Sequence, residues 1–209
     1  MSQQFKETET KRTYFVPALL LIILLSVIGN VVLYSKMITY KQEERSARGI
    51  SIIESGMAAK EHFRAVIANV RLLLEDESMP ARISAKSKLA FAYGAAGDVE
   101  RFVAEAEQNN AEPFKYAHRD TAAFLAEAGQ TLTQLGAHEG KLTSEERQYL
   151  QMIEEIYVKL EEAVKAFDYD ESTMTSSIAL TVQAGGKWVE MAGKLVEAMN
   201  EPKQLKVQF

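Results

Sequence analysis

From Tyr14 to Tyr34 the chain runs 21 residues without a charged side chain. As a helix this run is about 31 Å long, close to the roughly 30 Å hydrocarbon core of a bilayer. Its fourteen large apolar residues, Phe15, Val16, Leu19–Leu25 (all Leu or Ile), Val27, Ile28 and Val31–Leu33, each favour insertion by about 0.3–0.6 kcal/mol. Together they contribute roughly 4–8 kcal/mol, against small penalties at Ser26, Gly29 and Asn30. Pro17 is expected in the first turn of the span, where a missing N–H matters little, and Tyr14 and Tyr34 bracket it as interfacial aromatics. A cleaved signal peptide is the rival reading, with a weak cleavage site at Val27-Ile28-Gly29. The apolar run continues past it to Tyr34, which favours an uncleaved anchor. Lys6, Lys11 and Arg12 precede the run while Lys36, Lys41, Arg45 and Arg48 follow it, so basic residues do not fix the orientation. The short N-terminal tail favours an N-terminus inside and a C-terminal domain outside the cytoplasm. The expected organisation is a tail over 1–13, a transmembrane helix over 14–34, a juxtamembrane helical linker over 35–49, a helical bundle over 50–200 and a C-terminal tail over 201–209.

Downstream, apolar residues recur with the alternating three-and-four spacing of bundle seams. Ile52, Gly56, Ala59, Phe63, Val66, Val70 and Leu73 form the first series, and Leu89, Ala92, Ala96, Val99, Val103 and Ala106 the second. Phe114, Ala117, Thr121, Phe124, Ala128, Leu132 and Leu135 form a third with one irregular step. Leu150, Ile153, Tyr157, Leu160, Val164 and Phe167 make a fourth, and Ile178, Val182, Gly185, Val189, Ala192, Val196 and Met199 a fifth. Ser78-Met79-Pro80, Asn109 to Pro113, Gly136 to Lys141 and Asp168 to Ser172 punctuate them, and Gly94 with Gly97-Asp98 is a candidate break within the second. Thr143 followed by Glu146 reads as a capping box. Strand-like alternation is hinted at only in Leu205 to Phe209. The predicted fold is all-α: a single N-terminal transmembrane helix followed by an up-and-down antiparallel bundle.

No catalytic or metal constellation emerges. The residues three before His62, His118 and His138 are Ala59, Lys115 and Leu135, which excludes the Glu-x-x-His pair of a bundle-core di-iron site. The histidines are also too far apart for a zinc-protease helix. His118-Arg119-Asp120 spells the start of a kinase catalytic loop without its remaining parts, and is expected inside an amphipathic helix. Gly185-Gly186-Lys187 lacks an earlier glycine at phosphate-loop spacing and has Trp188 where Ser or Thr is needed. Glu145-Glu146, Glu154-Glu155 and Glu161-Glu162 are expected on a solvated flank with Lys159 and Lys165 as helical neighbours. Ser176-Ser177 shows no general base. With no cysteine in the chain, disulfides and thiolate sites are absent, and a net charge of −5 without a basic stripe argues against nucleic-acid binding. No enzyme activity, cofactor or metal is expected. Two glycines inside a helix are unfavourable by roughly 2 kcal/mol relative to alanines, so Gly185, Gly186 and Trp188 are expected to form a close-packing or interaction site.

The segment Leu142-Thr143-Ser144-Glu145-Glu146-Arg147-Gln148-Tyr149-Leu150, continuing through Ile156-Tyr157 to Leu160-Glu161, resembles a helix of the N-terminal region of YpeB-type spore germination proteins. The layout over residues 10–200, a tail, one membrane helix and a long helical region, is similar to theirs. Further C-terminal domains of that family have no counterpart in these 209 residues, so its support of a cell-wall hydrolase and its functional residues do not carry over. The resemblance implies a place in the bacterial envelope, in sporulation or germination. The expected function is a membrane-anchored, extracytoplasmic interaction module that meets the lipid bilayer through residues 14–34 and a protein partner through its bundle, with a homo-oligomer left open. The alternative is a ligand-sensing helical ectodomain. Lys187, Glu190, Lys194 and Glu197 rule out the last helix as a second span, so such a sensor would signal through a separate partner.

Overall fold

A computed structural model describes residues 3–76, 78–138, 140–170, 172, 174–202 and 205, with side chains from Phe15 onward. The interfacial role expected of the Tyr14 side chain and the strand hint over 206–209 fall outside the described residues. Every regular element among them is helical. The chain divides into two compact units, Met1–Arg45 and Ser46–Phe209.

The first unit consists of the N-terminal part of helix α1 (Gln3–Glu75). This helix contains an 18-residue stretch long and apolar enough to cross a membrane, and none of that stretch is buried. Leu, Ile and Val occur all round the helix rather than on one stripe, so no single face could be hidden against a core. Pro17 lies inside the helix, not in its first turn as expected, because the helix already begins at Gln3. It therefore removes an interior hydrogen bond.

The second unit is a helical bundle. It contains the remainder of α1, then α2 (Met79–Gly94), α3 (Gly97–Asn109), a 3₁₀ turn (Glu112–Phe114), α4 (Thr121–Gln134), α5 (Ser144–Val164), α6 (Ser176–Gln183) and α7 (Lys187–Asn200). Cross-helix contacts give the directions. Arg64 and Arg71 of α1 pair with Glu161 and Glu154 of α5 at 3.1 and 2.6 Å, so numbers rise on one helix as they fall on the other. His62 meets Ala92, a Cβ at Gly56 would lie 2.8 Å from Phe102, and Arg48 pairs with Glu105 at 2.6 Å. Hence α2 and α3 together form one descending leg beside α1. The Lys86 ammonium donates to the Leu135 carbonyl at 2.9 Å and Tyr93 packs on Gly129, so α4 ascends. Lys159 pairs with Glu201, and Phe102 stacks edgewise on Phe167 and tilted on Trp188, so the α6–α7 leg runs antiparallel to α5. The legs alternate up and down.

The expected seams are the ones that pack. Ile52, Phe63, Val66, Val70, Leu150, Ile153, Tyr157, Leu160 and Val164 all lie in the core. Where two legs come closest, glycine replaces a side chain. A Cβ at Gly49 would overlap the Ala179 carbonyl, and one at Gly56 would strike the Phe167 ring.

Four local expectations are corrected. Pro80 does not end the first bundle helix: α1 stops at Glu75, and Pro80 sits in the first turn of α2 behind the Ser78 cap. The series Phe114–Leu135 is not one helix. His118-Arg119-Asp120 lies in the loop before α4, held by the Asn200 side chain, whose oxygen accepts from the His118 and Arg119 N–H groups at 3.1 and 2.7 Å. The last series is likewise broken at Ala184–Gly186. Finally, Glu146 leaves the solvated flank: its side chain is only 1% exposed.

Candidate functional site

Gly185 and Gly186 do not sit inside a helix. They form the break between α6 and α7, with φ of 106° and 126°. This is backbone that residues with a Cβ rarely adopt, which explains why two adjacent glycines occur where the seam spacing would otherwise continue one helix. A Cβ at Gly185 would lie 2.5 Å from the Asn109 side-chain oxygen, whereas nothing lies near Gly186. Trp188, in the first turn of α7, is buried and its indole N–H donates to the Val182 carbonyl at 2.9 Å. Asn109 donates from its amide to the Gln183 carbonyl at 3.1 Å. The Val182 and Gln183 carbonyls at the end of α6 thus accept from side chains of α7 and α3. The three residues are brought together as a locked corner with the aromatic cluster of Phe102 and Phe167 behind it.

A second corner surrounds the capping box of α5. Thr143 accepts from the Glu146 N–H at 3.1 Å, and the Glu146 carboxylate accepts from the Thr143 N–H at 2.8 Å. The same carboxylate also accepts from the Gly136 N–H at 2.6 Å and meets His138 at 3.0 Å. Burial pushes its pKa up, but the Thr143 N–H, His138 and the Gly136 N–H together hold it below the ordinary value. One carboxylate therefore fastens the α4–α5 loop to the start of α5.

The open face with most to offer a partner lies between α1 and α2. Ala58, Ala65, Ala92 and Ala95 line a groove of about 660 Å³, with Glu61, Lys88 and Asp98 at its edges. On α2, Met79, Ile83, Ser87 and Phe91 recur every fourth residue and all stand exposed, Phe91 to 83%, and of these Ser87 and Phe91 line the groove. The core side of α2 buries Arg82, Ala85, Leu89 and Ala92, the last of which also borders the groove. This helix therefore buries Ala85 and Ala92 beside Arg82 and Leu89 while Met79, Ile83 and Phe91 stand outward. The seam pattern picked out Leu89 and Ala92 but gave no sign of the exposed stripe. The four-residue spacing from Met79 to Phe91 was the available signal, yet spacing alone does not say which of two apolar faces the core takes.

His62 lies at the groove and is buried. Its Nδ1 is 3.0 Å from the Ala92 carbonyl, which sets that nitrogen as the donor. Nε2 is buried without a partner among the described residues, and the ring is surrounded by Phe63, Tyr93 and Tyr157. Burial lowers the imidazole pKa although the Ala92 carbonyl works the other way. The neutral ring is therefore the stable form. Tyr93 and Tyr157 share a hydroxyl–hydroxyl bond of 2.7 Å, and burial raises the pKa of both phenols. Among the described residues no group of three or more His, Asp or Glu is placed to hold a metal ion.

No protein-family model, curated protein or solved structure matches the chain.

Proposed function

We propose that this is a single-span membrane protein whose helical bundle works as an interaction module outside the cytoplasm, with the N-terminus inside. The observation that carries the reading is the apolar stretch of α1, none of which its own chain buries. Water is a poor solvent for such a surface and lipid a good one, so a bilayer supplies the missing environment. The bundle, by contrast, hides its apolar seams and leaves Met79, Ile83 and Phe91 exposed, with Phe91 lining the alanine-lined groove. An exposed apolar strip with charges at its margin is the kind of surface on which a protein partner docks. The resemblance of its layout to that of YpeB-type germination proteins suggests the bacterial envelope, in sporulation or germination, as its setting.

Alkaline carbonate extraction and protease treatment of intact protoplasts test the anchor. The chain should stay with the membrane and lose its bundle to protease. Release by carbonate, or loss of residues 1–29 in the mature protein, would leave a secreted domain. Full protection of the bundle, with external controls cleaved, would reverse the topology. A photo-crosslinking residue at position 91 should give a discrete adduct that Ile83→Asp abolishes, while the same residue at the solvated position 155 gives none. Equal labelling at both positions would remove the α2 stripe as the binding face.

The groove volume together with the unpaired His62 nitrogen favours a second reading, a ligand-sensing ectodomain. A small-molecule screen that raises the melting temperature of the wild type but not of a Phe91→Ala variant would support it over the first.

A further inference from the structure

Within the apolar run, Ser26 and Asn30 are one helical turn apart and so share a face. Both are exposed, and neither makes a side-chain hydrogen bond within the described chain. They lie on one helix face with Val16, Leu19, Ile23, Leu33, Met37 and Tyr40, spaced by alternating threes and fours. The face continues beyond the apolar run, where Met37 and Tyr40 remain 50% and 69% exposed. Between Phe15 and Leu33, Ser26 and Asn30 are the only polar side chains, and lipid offers neither a hydrogen-bond partner, whereas a partner helix does. We infer that the face from Val16 to Tyr40 pairs with a second copy of the same helix, parallel and in register, with Asn30 facing Asn30.

The occupant follows from the chemistry of the amide. A carboxamide carries both donor and acceptor, so two identical ones facing each other across a two-fold axis satisfy one another, and a lipid tail satisfies neither. Asn30 lies about 6 Å inside the end of the run at Tyr34, counted at 1.5 Å per residue. A single Asn at such a seam position fixes register in paired helices, and Ser26 one turn away leaves room for close approach. Lys36 and Lys41 flank the seam beyond the run, where water and salt screen their repulsion. The inference rests on the membrane-span reading above.

Because the chain has no cysteine, single-cysteine variants of the full protein report contacts without background. In native membranes under copper–phenanthroline oxidation, Leu33→Cys and Met37→Cys should form disulfide-linked homodimers. Ile28→Cys and Ser35→Cys, on the opposite face, should form several-fold fewer. Asn30→Leu should cut the Met37→Cys dimer by at least about 3-fold, as interhelical polar contacts of this kind allow, and Asn30→Gln should largely restore it. The carbonate-resistant fraction, measured on the same samples, should not change. Equal crosslinking on all faces, indifference to Asn30→Leu, or seam adducts only to a different protein would each overturn the pairing. Release of the protein by carbonate would instead defeat the membrane reading, and the pairing with it.

Discussion

Two helical stretches of this chain are rich in Leu, Ile and Val and have opposite fates. Over Phe15–Leu33 apolar side chains cover the helix on every side, and none is buried by the protein. In α5 they occupy one stripe: Leu150, Ile153, Tyr157, Leu160 and Val164 are fully enclosed, while Glu154, Glu161 and Lys165 stand outside it. Apolar content alone does not separate the two. Its angular distribution does, because a stripe can be hidden against neighbouring helices and an unbroken apolar cylinder needs an apolar solvent.

Substituting one acid into each stretch should break them differently. Leu160→Asp puts an unpaired carboxylate into the bundle core and should destabilise it by about 3–5 kcal/mol, read as loss of cooperative thermal unfolding. Ile22→Asp should leave bundle melting unchanged but weaken membrane insertion by about 3 kcal/mol, seen as a carbonate-soluble fraction. Glu161→Lys, next to Leu160 but outside the stripe, exchanges the 3.1 Å pair with Arg64 for a like-charge contact at a solvated site. It should shift stability by about 1 kcal/mol or less. Equal effects of Leu160→Asp and Glu161→Lys would mean that the buried face has been misassigned.

The break before α7 sharpens the comparison, since there backbone conformation outweighs pattern. Gly186→Ala meets no neighbouring atom, yet the left-handed φ of 126° should cost about 1–2 kcal/mol. Gly185→Ala adds the Asn109 contact and should cost more. Chemical denaturation of both variants, with Trp188 fluorescence as the probe, measures this, and a stabilised Gly186→Ala would contradict it.

A smaller effect comes from His62. Its pKa is lowered in the fold, so the unfolded chain binds the proton more readily, and stability falls as pH drops below the unfolded value near 6.5. The loss is at most about 1.4 kcal/mol per pH unit. Depression of the Glu146 pKa acts only further down, below the unfolded carboxylate value, as that pH falls through its folded one. Melting temperature should therefore decline between pH 7 and 5 in the wild type and stay flatter in His62→Gln. Equal slopes would show that the ring is not held neutral.

Much of the fold was legible from the chain. The seams over Ile52–Leu73 and Leu150–Phe167 pack as their spacing implied, and Thr143 with Glu146 forms the expected capping box. The second leg breaks near Gly94–Gly97 as its glycines suggested. The pattern was misleading at His118 and at Gly185–Gly186, where helical spacing of apolar residues persists across a loop or corner. Periodicity reports which side chains face inward, and a loop that packs on the core can keep that count while its backbone leaves the helix. The burial of Glu146 was equally hidden, because it depends on Gly136 and His138 folding back over the helix start. The α2 stripe escaped notice because Ala85 and Ala92 are weak markers of a core face beside Ile83 and Phe91.

The most direct test of the central claim is to produce residues 46–209 without the N-terminal stretch and follow them by circular dichroism and membrane fractionation. If the bundle finds its solvent in water and only the preceding stretch needs lipid, this piece will be soluble, strongly helical, cooperative on melting and absent from the membrane pellet. An aggregated or disordered piece, or one that still sediments with membranes, would contradict the division of the chain between two solvents.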